Sequence, residues 1–473
     1  MPFVRLVFAV AWLFWGLWGC SLAPEYHRPD PPTPTTALST PEPIAQDLAL
    51  PSLGDFFQEP RLKALIDLAL TENRDLRLAA LNVLAVRAEY GLAQAERYPS
   101  LEAEAQKIVQ GGPERETTRE YELGLMSVFE VDFFGRLKNL SQAAFQKYLG
   151  AAEAARAARL SLIAEVAEAY LENRMSAESL ALTERTLKSW RDSLAFIENR
   201  LLSGQSALLD LEQARAQVAR AELARATART SLVRTEKNLK LLTGRLDDPA
   251  LPSALTLAKW PDPKLPENVA SNALLQRPDI LAAERDLIAS HFDIGAARAA
   301  FFPSLSLTGQ FGYMSGQLND LVSGANAGWS FTPRLNLPLF TGGRNRRALE
   351  LAEIRRSQSL ATYEKTIQAA FKEVAEALEA RPKLAQERLA QNRLLQTQKR
   401  VLELAANRYQ NGVISYLEVL EAQRETFEAE MAALDIRRAQ ILNDIKLYLA
   451  LGGGLEPNSD DSKTQKPNLG VTP

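Results

Sequence analysis

The sequence predicts a mainly α-helical fold interrupted by two pairs of β-strands, built from one unit written twice. Three observations carry this: an internal repeat over the full length, two very long helix-forming stretches, and four segments in which apolar and polar residues alternate.

The repeat comes first because it organises everything else. Arg74-Asp75-Leu76 returns as Pro278-Asp279-Ile280, and Tyr98-Pro99-Ser100-Leu101 as Phe302-Pro303-Ser304-Leu305, both 204 residues later. Further on the offset is 208: Gly135-Arg136 meets Gly343-Arg344, Val166-Ala167-Glu168-Ala169 meets Val374-Ala375-Glu376-Ala377, Gly204 meets Gly412 and Gly244 meets Gly452. Two constant offsets define two copies, 56–250 and 251–452. The second gained four residues in the stretch that matches 101–135, so that stretch tolerates length change, as an exposed loop does.

Each copy has the same element order. A helix is expected from about Arg61 to Arg97, and again from Asn268 to Phe301; two strands follow, within about 99–134 and 303–341. Then comes a helix from Leu137 to Leu202, and from Asn345 to Gln410, which at about 1.5 Å per residue would span about 100 Å. A Gly-containing break leads to a last helix, Ala207 to Leu242 and Ser415 to Leu449. Pro382 predicts a kink or break in the second long helix. Leu180, Leu187, Leu194 and Leu201 recur every seven residues, and Leu395, Leu402 and Tyr409 continue that seam in the second copy. Such a heptad pattern packs helices side by side as coiled coils, and alanine-rich runs such as 214–228 let them approach closely.

In copy two, Leu305, Leu307, Phe311 and Tyr313, and then Trp329, Phe331, Leu335 and Leu337, alternate with polar residues or glycine; in copy one Tyr121, Leu123, Leu125, Phe129 and Val131 share a face. The pattern suits a membrane β-strand, and equally a soluble sheet with one buried face. Four strands cannot close a barrel, and open edges are forbidden in lipid because each unpaired backbone group costs several kcal/mol. Either the chain lends four strands to a shared barrel or the strands lie outside a membrane; three chains would supply twelve.

Composition narrows the function. The formal net charge is -3, with 55 basic and 58 acidic residues, which gives no footprint for nucleic acid. His27 and His291 are the only histidines and Cys20 the only cysteine, so neither a histidine-rich metal site nor an intrachain disulfide is expected. No motif arranges the remaining carboxylates, hydroxyls and lysines for catalysis, and the reading is not an enzyme. Residues 1–19 read as a signal peptide: Arg5, an apolar run from Leu6 to Trp18, then Gly19-Cys20. Leu17-Trp18-Gly19-Cys20 resembles a bacterial lipobox, which implies that Cys20 is acylated and becomes the mature N-terminus; Ser21 at the next position implies sorting to the outer membrane. Residues 20–55 hold eight prolines from Pro24 to Pro51 and read as an extended tether, and 453–473 as a disordered tail.

Four stretches resemble one known family: Cys20-Ser-Leu-Ala-Pro-Glu-Tyr26, Phe301-Phe-Pro-Ser-Leu305, Leu339-Phe-Thr-Gly-Gly-Arg344 and, most specific, Arg408-Tyr-Gln-Asn-Gly-Val-Ile-Ser-Tyr-Leu-Glu-Val-Leu-Glu-Ala-Gln-Arg424. They are similar to the TolC-like outer membrane factors, in particular the OprM/NodT-type lipoproteins of tripartite efflux systems. The resemblance implies a homotrimer with a 12-stranded barrel in the outer membrane, four strands per chain. That barrel would continue into a coiled-coil α-barrel through the periplasm, with a mixed α/β equatorial belt near 249–266 and the chain ends. It implies a periplasmic adaptor and an inner-membrane pump of RND type as partners, outer-membrane lipid around the strands, and no cofactor beyond the lipid on Cys20.

The same resemblance places the gate where the helices converge at the periplasmic tip. Tyr409 matches a tyrosine that constrains the closed state in relatives, Glu421 an aspartate of the narrowest ring, and Arg424 an arginine near it. Glu418 and Asp210, equivalent at offset 208, match further carboxylate positions. Gly204, Gln205, Ser206, Gly412, Val413 and Ile414 would form the tip that meets the adaptor; Ile414 stands where TolC has an arginine of its closing network. Glu418, Glu421 and Arg424 at i, i+3 and i+6 share roughly one helix face, and a threefold ring of Glu421 would favour cations. Solvated surface charges are the bland alternative for these three. At the level of the whole chain, the expectation is a passive exit duct opened at its tip, and the alternative is a structural coiled-coil lipoprotein that spans the periplasm without a pore.

Overall fold

The computed structural model describes residues 21–32, 51–113, 115–247, 250–263, 265 and 274–453. The signal peptide, Cys20, residues 33–50 of the tether, part of the belt near 249–266 and the tail from 454 lie outside the described residues. The described residues fall into two compact units, one of 21–31, 81–154 and 279–366, the other of 32, 51–80, 155–278 and 367–453.

In chain order the helices are α1 (Leu53–Phe56), α2 (Pro60–Glu72), α3 (Arg74–Ala95), α4 (Arg136–Leu202), α5 (Leu208–Leu242), α6 (Pro278–Ala299), α7 (Arg344–Gln410) and α8 (Tyr416–Ala450). Strands β1 (Ser100–Gly112) and β2 (Arg115–Val131) separate α3 from α4, and β3 (Ser304–Ser315) and β4 (Ala327–Asn336) separate α6 from α7. Both copies thus carry a 67-residue helix followed by a 35-residue one. The duplication also shows in the backbone. Glycines 135, 204 and 244 have positive φ, and so do 343, 412 and 452, each pair 208 residues apart.

One expectation needs correction, and a second is narrowed. The first helix of copy one is not continuous, because it breaks at Asn73. That side chain accepts the Leu76 N–H at 2.9 Å as the N-cap of α3, and donates to the Leu242 carbonyl at 2.8 Å. Pro382 does not break α7, which runs helical from Arg344 to Gln410. A proline loses its own N–H and crowds the carbonyl four residues before it, and over 67 residues the remaining hydrogen bonds carry the helix through that site.

In the unit that holds the strands, the sheet is antiparallel in the order β1-β2-β3-β4, so β1 and β4 are open edges. Register puts Leu125, Phe311 and Trp329 in one cross-strand row, and Val131, Leu305 and Leu335 in another, on an apolar face that is largely exposed. The opposite face carries Glu102, Glu104, Glu122, Glu130, Thr308, Gln310, Ser330 and Arg334. Its middle row is Glu104, Gly124, Gly312 and Gly328. A Cβ on Gly312 would stand 2.6 Å from the Leu123 carbonyl oxygen and 2.7 Å from the Gly124 Cα. The sheet is therefore creased toward its polar face, with glycine as the corner residue. A soluble sheet closes around its apolar side; this one bends the other way. The loop between β1 and β2 is two residues, whereas 316–326 joins β3 to β4, so the copies differ most in this connection.

In the same unit the segment 21–32 lies along α6. Ser21 donates to the Asn139 side-chain oxygen at 2.7 Å, Arg298 donates to the Leu22 carbonyl at 3.3 Å, and Arg28 pairs with Glu284 at 2.7 Å. Gly295 lets the strap in: a Cβ there would meet the Ala23 nitrogen at 2.7 Å.

The other unit carries the main core, in which Leu62, Ile66, Ile163, Val166, Tyr170, Val374 and Tyr448 are fully buried. Phe56 stacks on Tyr448 with ring centres 3.8 Å apart. Buried Glu59 accepts from the Tyr170 hydroxyl at 2.9 Å and from the Leu62 and Leu255 N–H groups, so its charge is satisfied inside the core. Arg437 clips the segment 257–262 to α8 by donating to the Leu257 and Trp260 carbonyls at 3.1 and 2.6 Å and to Asp262 at 2.7 Å. No described helix is long and apolar enough to cross a membrane.

Candidate functional site

The helical tip is built by two equivalent turns. Gly204, at φ 65°, donates to the Leu201 carbonyl and Gln205 to that of Arg200; Gly412, at φ 74°, donates to Tyr409 and Val413 to Arg408. In both turns a left-handed glycine closes the helix and frees the chain to reverse. Gly204, Gln205, Gly412 and Val413 are exposed, Ser206 is half-buried, and Ile414 packs inward against the tip core.

The seam behind these turns is denser than the every-seventh leucine pattern. Thr183, Leu187, Trp190, Leu194, Ile197 and Leu201 face inward at alternating steps of four and three, and Gln391, Leu395, Gln398, Leu402, Ala405 and Tyr409 do so 208 residues later. Ile197, Leu211, Ala214, Ala405, Tyr409, Tyr416, Val419 and Ala422 close into one apolar cluster joining the ends of α4 and α7 to the starts of α5 and α8. The every-seventh pattern missed the alternate positions of each seam, because Thr183, Gln391 and Gln398 are polar and Trp190, Ile197 and Ala405 are apolar but not leucine.

Tyr409 is only 9% exposed, and its ring centre lies 5.4 Å from that of Tyr416 and 6.5 Å from that of Phe196. The guanidinium of Arg200 sits over Tyr409 at 5.1 Å and over Phe196 at 5.8 Å. Burial, then the neighbouring Tyr409 and Asp210, pushes the Tyr416 hydroxyl up to about 12, so it stays protonated. Gln423 donates to the Ser193 hydroxyl at 3.1 Å and ties α8 to α4. Arg200 was not singled out from the sequence, although Phe196 and Arg200 at i and i+4 give the signal for it.

Asp210 and Glu418 occupy the same place in the two copies, and the structure gives both a local role. Asp210 accepts from the Ser206 hydroxyl at 2.9 Å and the Ala207 N–H at 3.3 Å; Glu418 accepts from the Ser415 N–H at 3.3 Å and its hydroxyl at 3.4 Å. These are the reciprocal carboxylates of a helix start. Glu421 and Arg424 are exposed and form no ion pair with each other or with Glu418. Within one chain Tyr409 therefore belongs to the buried cluster and the charged pair does not.

A four-stranded open sheet creased toward its polar face, followed in each copy by a 67-residue and a 35-residue helix, defines the class of TolC-like channel subunits. The chain belongs to the outer membrane efflux protein family, whose profile ("Outer membrane efflux protein") matches residues 65–245 and again 269–453. The two matches begin 204 residues apart and end 208 apart, the two offsets of the internal repeat. The chain is 42% identical over 445 residues to the cation efflux system protein CusC of Escherichia coli K12, covering 93% of this chain and 97% of that one. To the outer membrane protein OprJ of Pseudomonas aeruginosa it is 41% identical over 459 residues, 93% of this chain and 94% of that one. The crystal structure of the open state of the Neisseria gonorrhoeae MtrE outer membrane channel superposes with a TM-score of 0.84 at 35% identity, covering 93% of this chain and 99% of the other. The chain is an outer-membrane efflux channel subunit, and the coiled-coil reading without a pore falls away.

Proposed function

We propose that three copies of this chain close a twelve-stranded barrel and act as a passive exit duct, loaded by a periplasmic adaptor and an inner-membrane pump of RND type. The observation that carries the reading is the sheet itself. Its β1 and β4 edges are unpaired, its crease puts the polar row inside, and its exposed apolar face suits lipid. Three such sheets joined edge to edge leave no open edge and a wet lumen. Acylation of Cys20 holds the subunit to the membrane; a relative from Salmonella typhimurium, SilC, is described as a probable outer membrane lipoprotein.

Opening is assigned to the tip. Tyr409 holds the buried cluster shut from within each chain, and Glu421 and Arg424, with no ion-pair partner among the described residues, are placed to face their copies across the threefold axis. Asp210 and Glu418 act on opening through the helix starts they cap. Gly204, Gln205, Ser206, Gly412, Val413 and Ile414 form the two turns an adaptor would grip. CusC is named for cation efflux and SrpC of Pseudomonas putida for solvent efflux, which supports cargo choice upstream of a shared duct. The test is conductance of the purified chain in a planar bilayer together with its mass in detergent. A trimer with cation-preferring openings that increase in Glu421→Gln or Arg424→Ala supports the reading; a monomer that never conducts sinks it.

A further inference from the structure

The two copies differ sharply where the strands hand over to the long helices. In copy one, Arg136 makes a double hydrogen bond to Glu130, with Nε to Oε1 at 3.0 Å and Nη2 to Oε2 at 2.7 Å, and Asp132 accepts the Lys138 N–H at 2.7 Å. Glu130 thus pairs with the first basic residue of α4, and Asp132 holds the backbone N–H of the second, so both carboxylates stand at that helix start. At offset 208 Arg136 becomes Arg344 and Lys138 becomes Arg346, but Glu130 becomes Pro338 and Asp132 becomes Phe340. The cations are kept and their carboxylates are gone.

Copy two consequently presents an exposed pair of arginines with no ion-pair partner among the described residues; Arg347 beside them is held by Glu350 at 2.6 Å. The first turn of α7 contains no acidic residue, so two cations sit at the positive end of a 67-residue helix, where charge of that sign is disfavoured. Immediately before them Leu339 is 88% and Phe340 92% exposed. These side chains continue the apolar run of β4, in which Trp329, Phe331 and Leu335 are exposed on the lipid-facing side. An exposed Leu-Phe pair followed within seven residues by Arg344 and Arg346 is the arrangement of a membrane boundary, with apolar groups at the acyl chains and arginines at the phosphates.

We propose that Arg344 and Arg346 bind the phosphate of an anionic phospholipid in the leaflet on the helix side of the sheet, with Leu339 and Phe340 against its acyl chains. The lipid supplies in copy two the negative charge that Glu130 and Asp132 supply in copy one. Three such sites alternate with three self-neutralised ones around a trimer. Arginine is suited to the task because its planar fork meets two phosphate oxygens at once. The inference rests on the outer-membrane assignment and adds a lipid to it.

The test is native mass spectrometry of the delipidated full chain after addition of dioleoylphosphatidylglycerol, with dioleoylglycerol as the phosphate-free comparison and excess inorganic phosphate as competitor. The wild type should retain phosphatidylglycerol and not dioleoylglycerol. R344Q/R346Q should lose about ten-fold or more of that retention, R344K/R346K should keep most of it, and Arg136→Gln should leave it unchanged. Equal retention by R344Q/R346Q overturns the proposal. So does full displacement by inorganic phosphate, which marks a free-anion site. A third contrary result is dissociation of the R344Q/R346Q oligomer whatever the lipid, which assigns the arginines to the neighbouring copy. Thermal melting of each variant separates these outcomes from misfolding, and failure of the wild type to form a trimer would count against the duct, since lipid retention can be read on any oligomer.

Discussion

The guanidinium of Arg200 lies 5.1 Å from the centre of the Tyr409 ring, and this contact joins the last turn of α4 to the last turn of α7. The residues are not equivalents: Tyr409 replaces Leu201 of copy one, and Arg200 corresponds to Arg408. The clamp therefore exists once per chain and not twice. A cation over an aromatic face contributes about 0.5–1 kcal/mol at a partly exposed site. Arg200→Gln should raise open probability a few-fold with little change in melting temperature, and Arg200→Lys should restore much of the closure. Bilayer recordings check both, and unchanged closure in Arg200→Gln would remove Arg200 from the gate.

Glu421 and Arg424 are exposed charges without ion-pair partners among the described residues, so their effect should be on ions. Glu421→Gln should lower cation preference, read as a shift in reversal potential across a salt gradient, and Arg424→Ala should raise it. Asp210→Asn and Glu418→Gln serve as contrasts. Each weakens a helix start by about 1 kcal/mol, so they should lower thermal stability with a smaller effect on reversal potential.

Gly312 tests the crease of the sheet. A side chain there collides with the Leu123 carbonyl, whereas a Cβ on Gly309 meets nothing within 4 Å. Gly312→Val should abolish most trimer in membrane extracts while Gly309→Ala assembles normally. Equal assembly of the two would mean that the sheet closes without that corner.

His291 makes the N-terminal strap sensitive to pH. The Arg356 Nε–H donates to its Nε2 at 3.0 Å, and the Tyr26 ring stands edge-on at 5.4 Å, so the imidazole is needed neutral. Burial first, and then Arg356, hold its pKa below the ordinary histidine value. A depressed pKa in the fold means that this stabilisation is present above the ordinary histidine range and is lost as pH falls through the depressed value. The protection of the amides from residue 21 to 28, taken relative to free-peptide exchange at the same pH, should fall on acidification below pH about 6.5. In His291→Gln the same amides should show a flatter pH response.

What could be read from the sequence was what repeats or alternates. The polar and apolar faces of the strands and the four long helices follow from periods of two and seven, so Leu125, Phe311 and Trp329 could be placed on one face before any coordinates. Harder to read was whatever depended on a partner distant in the chain. Asn73 looks like an ordinary helix residue until its capping of α3 and its bond to Leu242 are seen. Arg200 is one of many exposed-looking arginines until Tyr409 arrives from 209 residues away. Asp210 and Glu418 were legible as acidic residues three places into a helix, yet the family resemblance drew attention to the pore and away from the capping box. Pro382 shows the reverse case, in which a strong local breaker sits inside a helix that does not end there.

The matched helix lengths set a rule for how such a chain can change. In each copy a left-handed glycine precedes the long helix and another follows its end, with a helix of 67 residues between them both times, so adding one turn to α4 alone would break the match with α7. Lengthening therefore requires the same insertion at both sites and in both outgoing and returning helices, four coordinated events. Loops between strands carry no such tie, and there the copies have already drifted apart.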